Sequence, residues 1–205
     1  MGCDIHPYIE YYDKEKDQAH FIGEVHISRD YLLFSLMAGV RSNPDEKPVS
    51  YPKGLPSKLS WQTERKFYLF VLEEDTDEDG CCSSEDAERW VGQGSSWYLD
   101  EAKRLVSNPD WHSETWLSIE ELEEVQRRYM DSEIEDYDGM MKQIKQIRGS
   151  DLSETEKERK SNELYWSKLP LVKRGIHNGL QATIEAMRVF RTETCEPRLV
   201  IWFDN

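Results

Sequence analysis

An aspartate and a histidine stand two residues apart near the start of the chain, in the segment MGCDIHPYIEYYD. Because this segment alternates, Asp4, His6 and Glu10 share one face of a predicted strand, whereas Cys3 and Ile5 face the other way. Side chains two apart on a strand are separated by about 7 Å, so an imidazole and a carboxylate there can grip one ligand together. The alternative is the solvated face of an edge strand.

A second histidine lies in the segment DWHSETW, just ahead of a capping box that begins at Ser118. Here His112 and Ser113 stand between Trp111 and Trp116. Backbone N–H groups at a helix start can receive a phosphate or carboxylate, and tryptophans can stack on a base. Alternatively, His112 and Ser113 cap a turn while the tryptophans close a small core.

These residue types also suit catalysis and metal binding. If the chain is an enzyme, His6 and His112 are the candidate acid and base, because imidazole titrates near neutral pH. The candidate ligands of a divalent metal are Asp4, His6, His112 and Asp204. No spacing in the sequence demands a metal, so we name no certain cofactor.

The acidic segment DTDEDGCCSSED matches the opening of a calcium-binding loop at Asp75, Asp77, Asp79 and Gly80, with Asp86 at the bidentate position. A cysteine replaces the usual aliphatic residue, and no second loop exists to pair with it. We interpret residues 73–86 as an acidic surface loop.

Two arginines, Arg29 and Arg41, bracket a short apolar helix. A guanidinium can fork onto a phosphate, so both are candidate ligand-binding residues in an otherwise acidic protein. The alternative is an ordinary surface ion pair. The sequence contains no G-x-G-x-x-G, Walker, G-x-S-x-G or H-E-x-x-H motif.

The pattern along the chain predicts an α+β fold, a single domain with a small mixed or antiparallel sheet flanked by helices. The predicted elements are strands at 3–12 and 20–27, a helix after Ser28, a long loop at 41–60, a segment at 61–74 that is either helix or strand, a short helix at 99–106, three charged helices between Ser118 and Pro170, a core helix at 171–190 and a terminal strand RLVIWFDN.

We divide this chain into a core domain, 1–117 and 170–205, and a charged helical insertion or arm, 118–169. The apolar terminal strand is expected to lie centrally in the sheet and to pair near the first strand. That pairing would bring Asp204 close to Asp4.

The amino-acid composition limits the classes of function that this protein can have. The 205 residues include 41 acids and 26 bases, a formal charge of −15, so generic binding to DNA or RNA is excluded. No apolar run is long enough to span a membrane, no signal peptide is evident, and the four cysteines form no C-x-x-C pair. We expect a cytoplasmic protein with reduced thiols and no membrane partner.

With these segments located, the chain resembles a group of largely uncharacterised bacteriophage and prophage proteins. They share an N-terminal GCDIH motif, a segment like RDYLLFSLMAGVR, a KGLP-type loop, an HSxTWL segment and a C-terminal WFDN strand. The matching stretches are Gly2–His6, Arg29–Arg41, Lys53–Pro56, His112–Leu117 and Arg198–Asn205. The resemblance implies a phage setting in the infected bacterial host cell. It also implies that Asp4, His6, His112 and Asp204 lie together.

Three functions fit these observations. In the first, the protein sequesters a small nucleotide immune signal, a cyclic dinucleotide or an ADP-ribose derivative, under a lid formed by residues 41–60. Its ligand-binding residues would be Asp4, His6, Glu10, Arg29, Arg41, Trp111, His112, Ser113 and Trp116. We favour it because binding asks less of geometry than catalysis does.

In the second, a phosphodiesterase-type hydrolase, with or without a metal, cleaves the same signal. In the third, the acidic protein inhibits a host factor by docking on it. The helical block at 118–169 would supply that surface, or would join copies of the chain into a homo-oligomer.

Overall fold

A computed structural model of the chain describes residues 2–42, 47–72, 81–95, 97–100, 103–172 and 177–205. It is a single α+β domain, which confirms the predicted fold class. Most of the candidate calcium loop, including Asp75, Asp77, Asp79 and Gly80, lies outside the described residues.

Helices and strands alternate irregularly along the chain. In order, they are β1 (Ile5–Asp13), β2 (Gln18–Glu24), α1 (Tyr31–Ala38), α2 (Trp61–Phe67), β3 (Tyr68–Leu72), β4 (Cys81–Ser83), α3 (Ser84–Gly92), β5 (Trp97–Asp100), β6 (Lys103–Ser107), β7 (His112–Leu117), α4 (Ile119–Arg148), α5 (Glu154–Val172), α6 (Asn178–Phe190) and β8 (Cys195–Phe203).

The main sheet has the strand order β2-β1-β8-β7, and all its pairs are antiparallel. Strands β1 and β8 pair along their full length, from Ile5 opposite Phe203 to Asp13 opposite Cys195. Residues 199–203 of β8 are fully buried, because neighbouring strands flank them and both sheet faces are covered. The prediction of a central terminal strand that pairs with the first strand is confirmed.

The two faces of this sheet bury different cores. Leu199, Ile201 and Phe203 face the main core, to which α1, α4 and α6 contribute. Val200 and Trp202 face an aromatic core that includes Phe67 of α2. This two-sided burial follows from the strand period of two, which sends consecutive side chains to opposite faces.

Helix α4 differs from the prediction, since it is one continuous helix where two were expected. Its first turns bury Leu122, Val125 and Tyr129 in the main core, with spacings of three and four residues. The predicted boundary at residue 118 therefore falls just before a helix that helps to build the core. The division into a core domain and a helical insertion stays a prediction.

The outer part of α4 and the whole of α5 form a charged helical hairpin. Ion pairs such as Arg159 with Glu163 lie along its surface, and Trp166 is two-thirds exposed. In the part of the chain that the structure describes, no helix has the length and apolar character needed to cross a bilayer.

A second sheet, in the order β4-β3-β6-β5, replaces the predicted short helix at 99–106. Residues 97–100 and 103–107 form the paired strands β5 and β6, and the described part of the segment at 61–74 is α2 followed by β3. Pairing of β6 with β3 buries Leu105 and Val106, and this tertiary packing overrides the local pattern.

A histidine begins helix α6. The Nδ1 atom of His177 accepts the backbone N–H of Leu180 at 3.2 Å, and its Nε2 atom lies 3.3 Å from the hydroxyl of Ser28. Burial lowers the pKa of His177; Asp30 opposes this shift and His26 reinforces it. The cap therefore requires the neutral imidazole, because protonated Nδ1 cannot accept a hydrogen bond.

We expect acid to weaken the fold through His177. Its contribution to stability is complete above the unfolded-state pKa of about 6.5 and is lost as pH falls from there through the lower folded-state pKa. The variant His177→Asn keeps a capping acceptor but cannot titrate. Urea denaturation gives the unfolding free energy of both chains at about pH 8 and about pH 5. Between these two pH values the native chain should lose more unfolding free energy than His177→Asn. Equal losses would contradict this assignment.

Candidate functional site

Three of the predicted site residues meet at one end of the main sheet. The backbone N–H of Asp204 donates to the carbonyl of Asp4 at 3.1 Å, and the N–H of Asp4 donates to Oδ1 of Asp204 at 2.9 Å. The Nε2 atom of His6 lies 3.1 Å from Oδ2 of Asp204. The β1–β8 pairing therefore places Asp4, His6 and Asp204 together, as the sequence predicted.

Arg29 completes this group, which we call the strand-end cluster: Asp4, His6, Arg29 and Asp204. Its guanidinium forks onto Asp4, with Nε at 2.8 Å from Oδ1 and Nη2 at 2.6 Å from Oδ2. The hydrogen bond from Arg29 lowers the pKa of Asp4. A Cβ atom at Gly2 would meet the guanidinium of Arg29, which would then have to shift. Both side chains are about half exposed, so Arg29 and Asp4 form a surface ion pair, as the alternative interpretation of Arg29 proposed.

The imidazole of His6 lies against the aromatic core. It stacks on Trp202 with a centroid distance of 5.7 Å and an interplanar angle of 16°. Trp111 lies 5.8 Å from His6 and 5.4 Å from Trp202, and it also contacts Phe67. Trp111 therefore packs within this core, as the second interpretation of its segment proposed.

His112 lies on the other face of the sheet. It pairs in register with Phe203, and the two rings are 6.1 Å apart. Phe203 and Trp202 are consecutive in β8, so their side chains lie on opposite faces of the sheet. His6 is opposite Trp202 in the β1–β8 register and lies on the same face as Trp202. The structure does not bring His6 and His112 into one site.

Local contacts hold His112 in this position. Its Nδ1 atom lies 2.9 Å from the hydroxyl of Ser113, a residue whose φ of 57° is left-handed. Its Nε2 atom is buried and has no hydrogen-bond partner among the described residues. His112 and Ser113 thus form a local pair at the sheet edge where β7 begins.

Arg41 and Cys3 lie near the strand-end cluster. Burial raises the pKa of the Cys3 thiol, while the nearby charge of Arg41 opposes the shift. A buried thiol with a raised pKa is a poor nucleophile. Across the described residues, no group of three His, Cys, Asp or Glu side chains is placed to hold a metal ion.

Glu10 has a structural partner that the sequence analysis did not identify. Its carboxylate is fully buried; Oε1 accepts from Nε and Nη2 of Arg198 at 2.9 and 2.6 Å, and Oε2 accepts the N–H of Ser60 at 3.0 Å. Arg198 also donates to the carbonyl of Lys58. Glu10 is therefore an anchor for Arg198, and its hydrogen-bonding capacity is committed.

A cavity of about 230 Å³ lies at the opposite end of the sheet from the strand-end cluster. Strand β7 ends at Leu117, so residues 196–198 of β8 have no strand neighbour on that side, and the chain turns away into α4. We call this space the arginine cavity. Its main lining residues are Tyr12, Trp116, Glu120, Arg191, Glu196 and Arg198.

Of these lining residues, only Trp116 was a predicted site residue. Its ring is contacted by Lys53, whose Nζ lies 4.0 Å from the ring centroid and pairs with Glu121 at 2.9 Å. Tyr12 and Arg198 could have been found from the strand alternation, because both share the face of Glu10. Arg191 carries no such signal, since it follows the end of α6.

The charges of the arginine cavity are paired. Arg191 lies 2.6 Å from Glu120, and both side chains are more than half exposed. A hydrogen bond from its own backbone N–H, and then one from Arg191, lower the pKa of Glu120. The start of α4 is closed by the capping box of Ser118 and Glu121. The two arginine side chains are therefore the candidate anion-binding groups of this cavity.

The buried pair of Glu10 and Arg198 should be essential to the fold. We expect Glu10→Ala to lower the unfolding free energy by about 3–5 kcal/mol, because it leaves a buried guanidinium without its carboxylate. Glu196→Ala removes a carboxylate from an exposed pair with Lys14 and should cost no more than about 1 kcal/mol. Urea denaturation measures both, and similar values would contradict the anchoring role.

Comparison of the chain with protein-family models, with curated proteins and with solved structures gives no match. The function must therefore be inferred from the geometry of the strand-end cluster and the arginine cavity. The arginine cavity is concave, and it combines aromatic rings with guanidinium groups.

Proposed function

We propose that this protein binds and sequesters a small nucleotide, in the phage counter-defence setting that its sequence resemblance implies. One observation carries the proposal: two aromatic rings, Tyr12 and Trp116, and two guanidinium groups, Arg191 and Arg198, line the same cavity. Aromatic rings suit the faces of a base, and guanidinium groups suit phosphate oxygens.

The volume of the arginine cavity limits the ligand. At about 230 Å³ it is smaller than the roughly 300–1,000 Å³ typical of drug-sized ligand sites. It suits one nucleotide unit rather than a whole cyclic dinucleotide. We therefore favour an ADP-ribose derivative, with one nucleotide unit inside the cavity and the remainder extending through its mouth.

Arg198 supports binding because it is fixed before any ligand arrives. Glu10 and the carbonyl of Lys58 hold its guanidinium, and its side chain is only 12% exposed. A preorganised donor loses little conformational entropy when it meets a phosphate, which favours tight capture. Neither His6 nor His112 lines the cavity, so sequestration needs fewer assumptions than cleavage there.

Hydrolysis is the second candidate, and one observation favours it. The imidazole of His6 is held 3.1 Å from the carboxylate of Asp204 in the strand-end cluster. An imidazole oriented by a carboxylate suits a general base. This arrangement lies at the other end of the sheet from the arginine cavity, so a hydrolase would use a different site.

Incubation with ADP-ribose and with cyclic di-AMP, each with and without Mn²⁺ or Mg²⁺, separates the two candidates. We expect the native chain to bind ADP-ribose in calorimetry and to release it intact after heating. Turnover of either compound would replace sequestration by hydrolysis. The double variant Asp4→Ala, His6→Ala should keep ADP-ribose binding; its loss would move the site to the strand-end cluster.

A tryptophan substitution tests the arginine cavity directly. We expect Trp116→Leu to weaken ADP-ribose binding by on the order of tenfold, because leucine preserves apolar volume but removes the stacking surface. Trp61→Leu is the matched control, since Trp61 is 55% exposed on α2 and does not line the cavity. Calorimetry gives the ADP-ribose dissociation constant of each variant. Equal changes in Trp116→Leu and Trp61→Leu would contradict this location of the site.

A further inference from the structure

The ion pair of Glu120 and Arg191 occupies the wall of the arginine cavity. The Oε1 atom of Glu120 lies 2.6 Å from Nη1 of Arg191, and the two side chains are 59% and 55% exposed. Both residues line the cavity. Both guanidinium groups that a phosphate would use thus already contact a carboxylate: Arg191 contacts Glu120, and Arg198 contacts Glu10.

Arg191 and Arg198 differ in how firmly they are held. The partner of Arg198, Glu10, is fully buried and receives a further hydrogen bond from Ser60. The partner of Arg191 is solvent-exposed and lies in the first turn of α4. Exposed ion pairs contribute little to stability, whereas breaking a buried pair is costly. Only the Arg191 pair can open without disturbing the core.

We propose that Glu120 is an internal competitor for the ligand's phosphate: an anionic ligand displaces the Glu120 carboxylate from Arg191 as it enters the arginine cavity. This inference rests on the proposed function. Arg198 provides a fixed contact, and Arg191 provides a contact that is exchanged between carboxylate and phosphate. The affinity of the native chain for phosphate is therefore set below what the two arginines alone would give.

The exchange predicts which ligands respond to Glu120. A phosphate or pyrophosphate group carries the charge and the oxygen pair that can replace a carboxylate on a guanidinium. A neutral nucleoside can occupy the aromatic part of the cavity but cannot replace Glu120. Removing the Glu120 charge should thus strengthen binding of ADP-ribose and inorganic pyrophosphate, and leave adenosine unchanged.

The test is Glu120→Gln, with Glu123→Gln as its matched control. Both remove one acid from the first two turns of α4, but Glu123 pairs with Arg188 and does not line the cavity. The capping box of Ser118 and Glu121 is intact in both variants. Calorimetry at low salt with ADP-ribose, inorganic pyrophosphate and adenosine gives the dissociation constants.

We expect Glu120→Gln to bind ADP-ribose and pyrophosphate about two- to fivefold more tightly than the native chain, as loss of an exposed competing ion pair predicts. Glu123→Gln should resemble the native chain. Adding Arg191→Ala to Glu120→Gln should abolish the gain, because the exchanged contact is then absent.

The outcomes separate this inference from the proposed function. If ADP-ribose binds the native chain but Glu120→Gln brings no gain, the competitor is disproved and the function stands. If pyrophosphate gains affinity while ADP-ribose does not bind, the competitor stands and nucleotide sequestration fails. Absence of binding by any probe to any variant overturns both, and an equal gain in Glu123→Gln attributes the effect to net charge and overturns the competitor.

Discussion

The antiparallel pairing of β1 with β8 is the interaction on which the rest of the molecule depends. It runs over nine residue pairs and joins the two ends of the sequence. Strands β1 and β7 flank β8 in the sheet, and the two faces of β8 pack into the main core and the aromatic core. The strand-end cluster lies at one end of the pair and the arginine cavity at the other.

The buried pair of Glu10 and Arg198 connects this pairing to the proposed site. These residues are opposite one another in the β1–β8 register, so the ion pair forms only when the register is correct. A slip of β8 by one residue would turn its side chains to the opposite face and leave both charges unpaired. One ion pair therefore specifies the register and holds a guanidinium at the cavity.

Some of this arrangement could be predicted from the sequence because alternation and apolar runs are local signals. Alternation predicted the strand that contains His6, and the apolar run predicted the central strand that Asp204 follows. Which residues cover each face of the sheet depends on contacts between segments that are remote in sequence. The aromatic core lies beside His6, and the register of β7 sends His112 to the opposite face.

The arginine cavity could not be predicted from the sequence for the same reason. Glu10 was expected to be a ligand-binding residue on an open face, and its burial depends on Ser60 and Arg198, which are remote in sequence. Arg191 enters the cavity from the end of α6, and only the three-dimensional fold shows this. Pairings with large sequence separation are the part of a fold that local patterns do not specify.

The separation of β1 from β8 also has a consequence for biosynthesis. A ribosome makes residues 5–13 first and cannot supply their central partner until residues 195–203 have left the exit tunnel. Until then β1 can pair only with β2, and this hairpin exposes the backbone edge that β8 will pair with. The sheet therefore closes only after residues 195–203 are available, and the β1–β2 hairpin is open to wrong pairing while the intervening residues are synthesised.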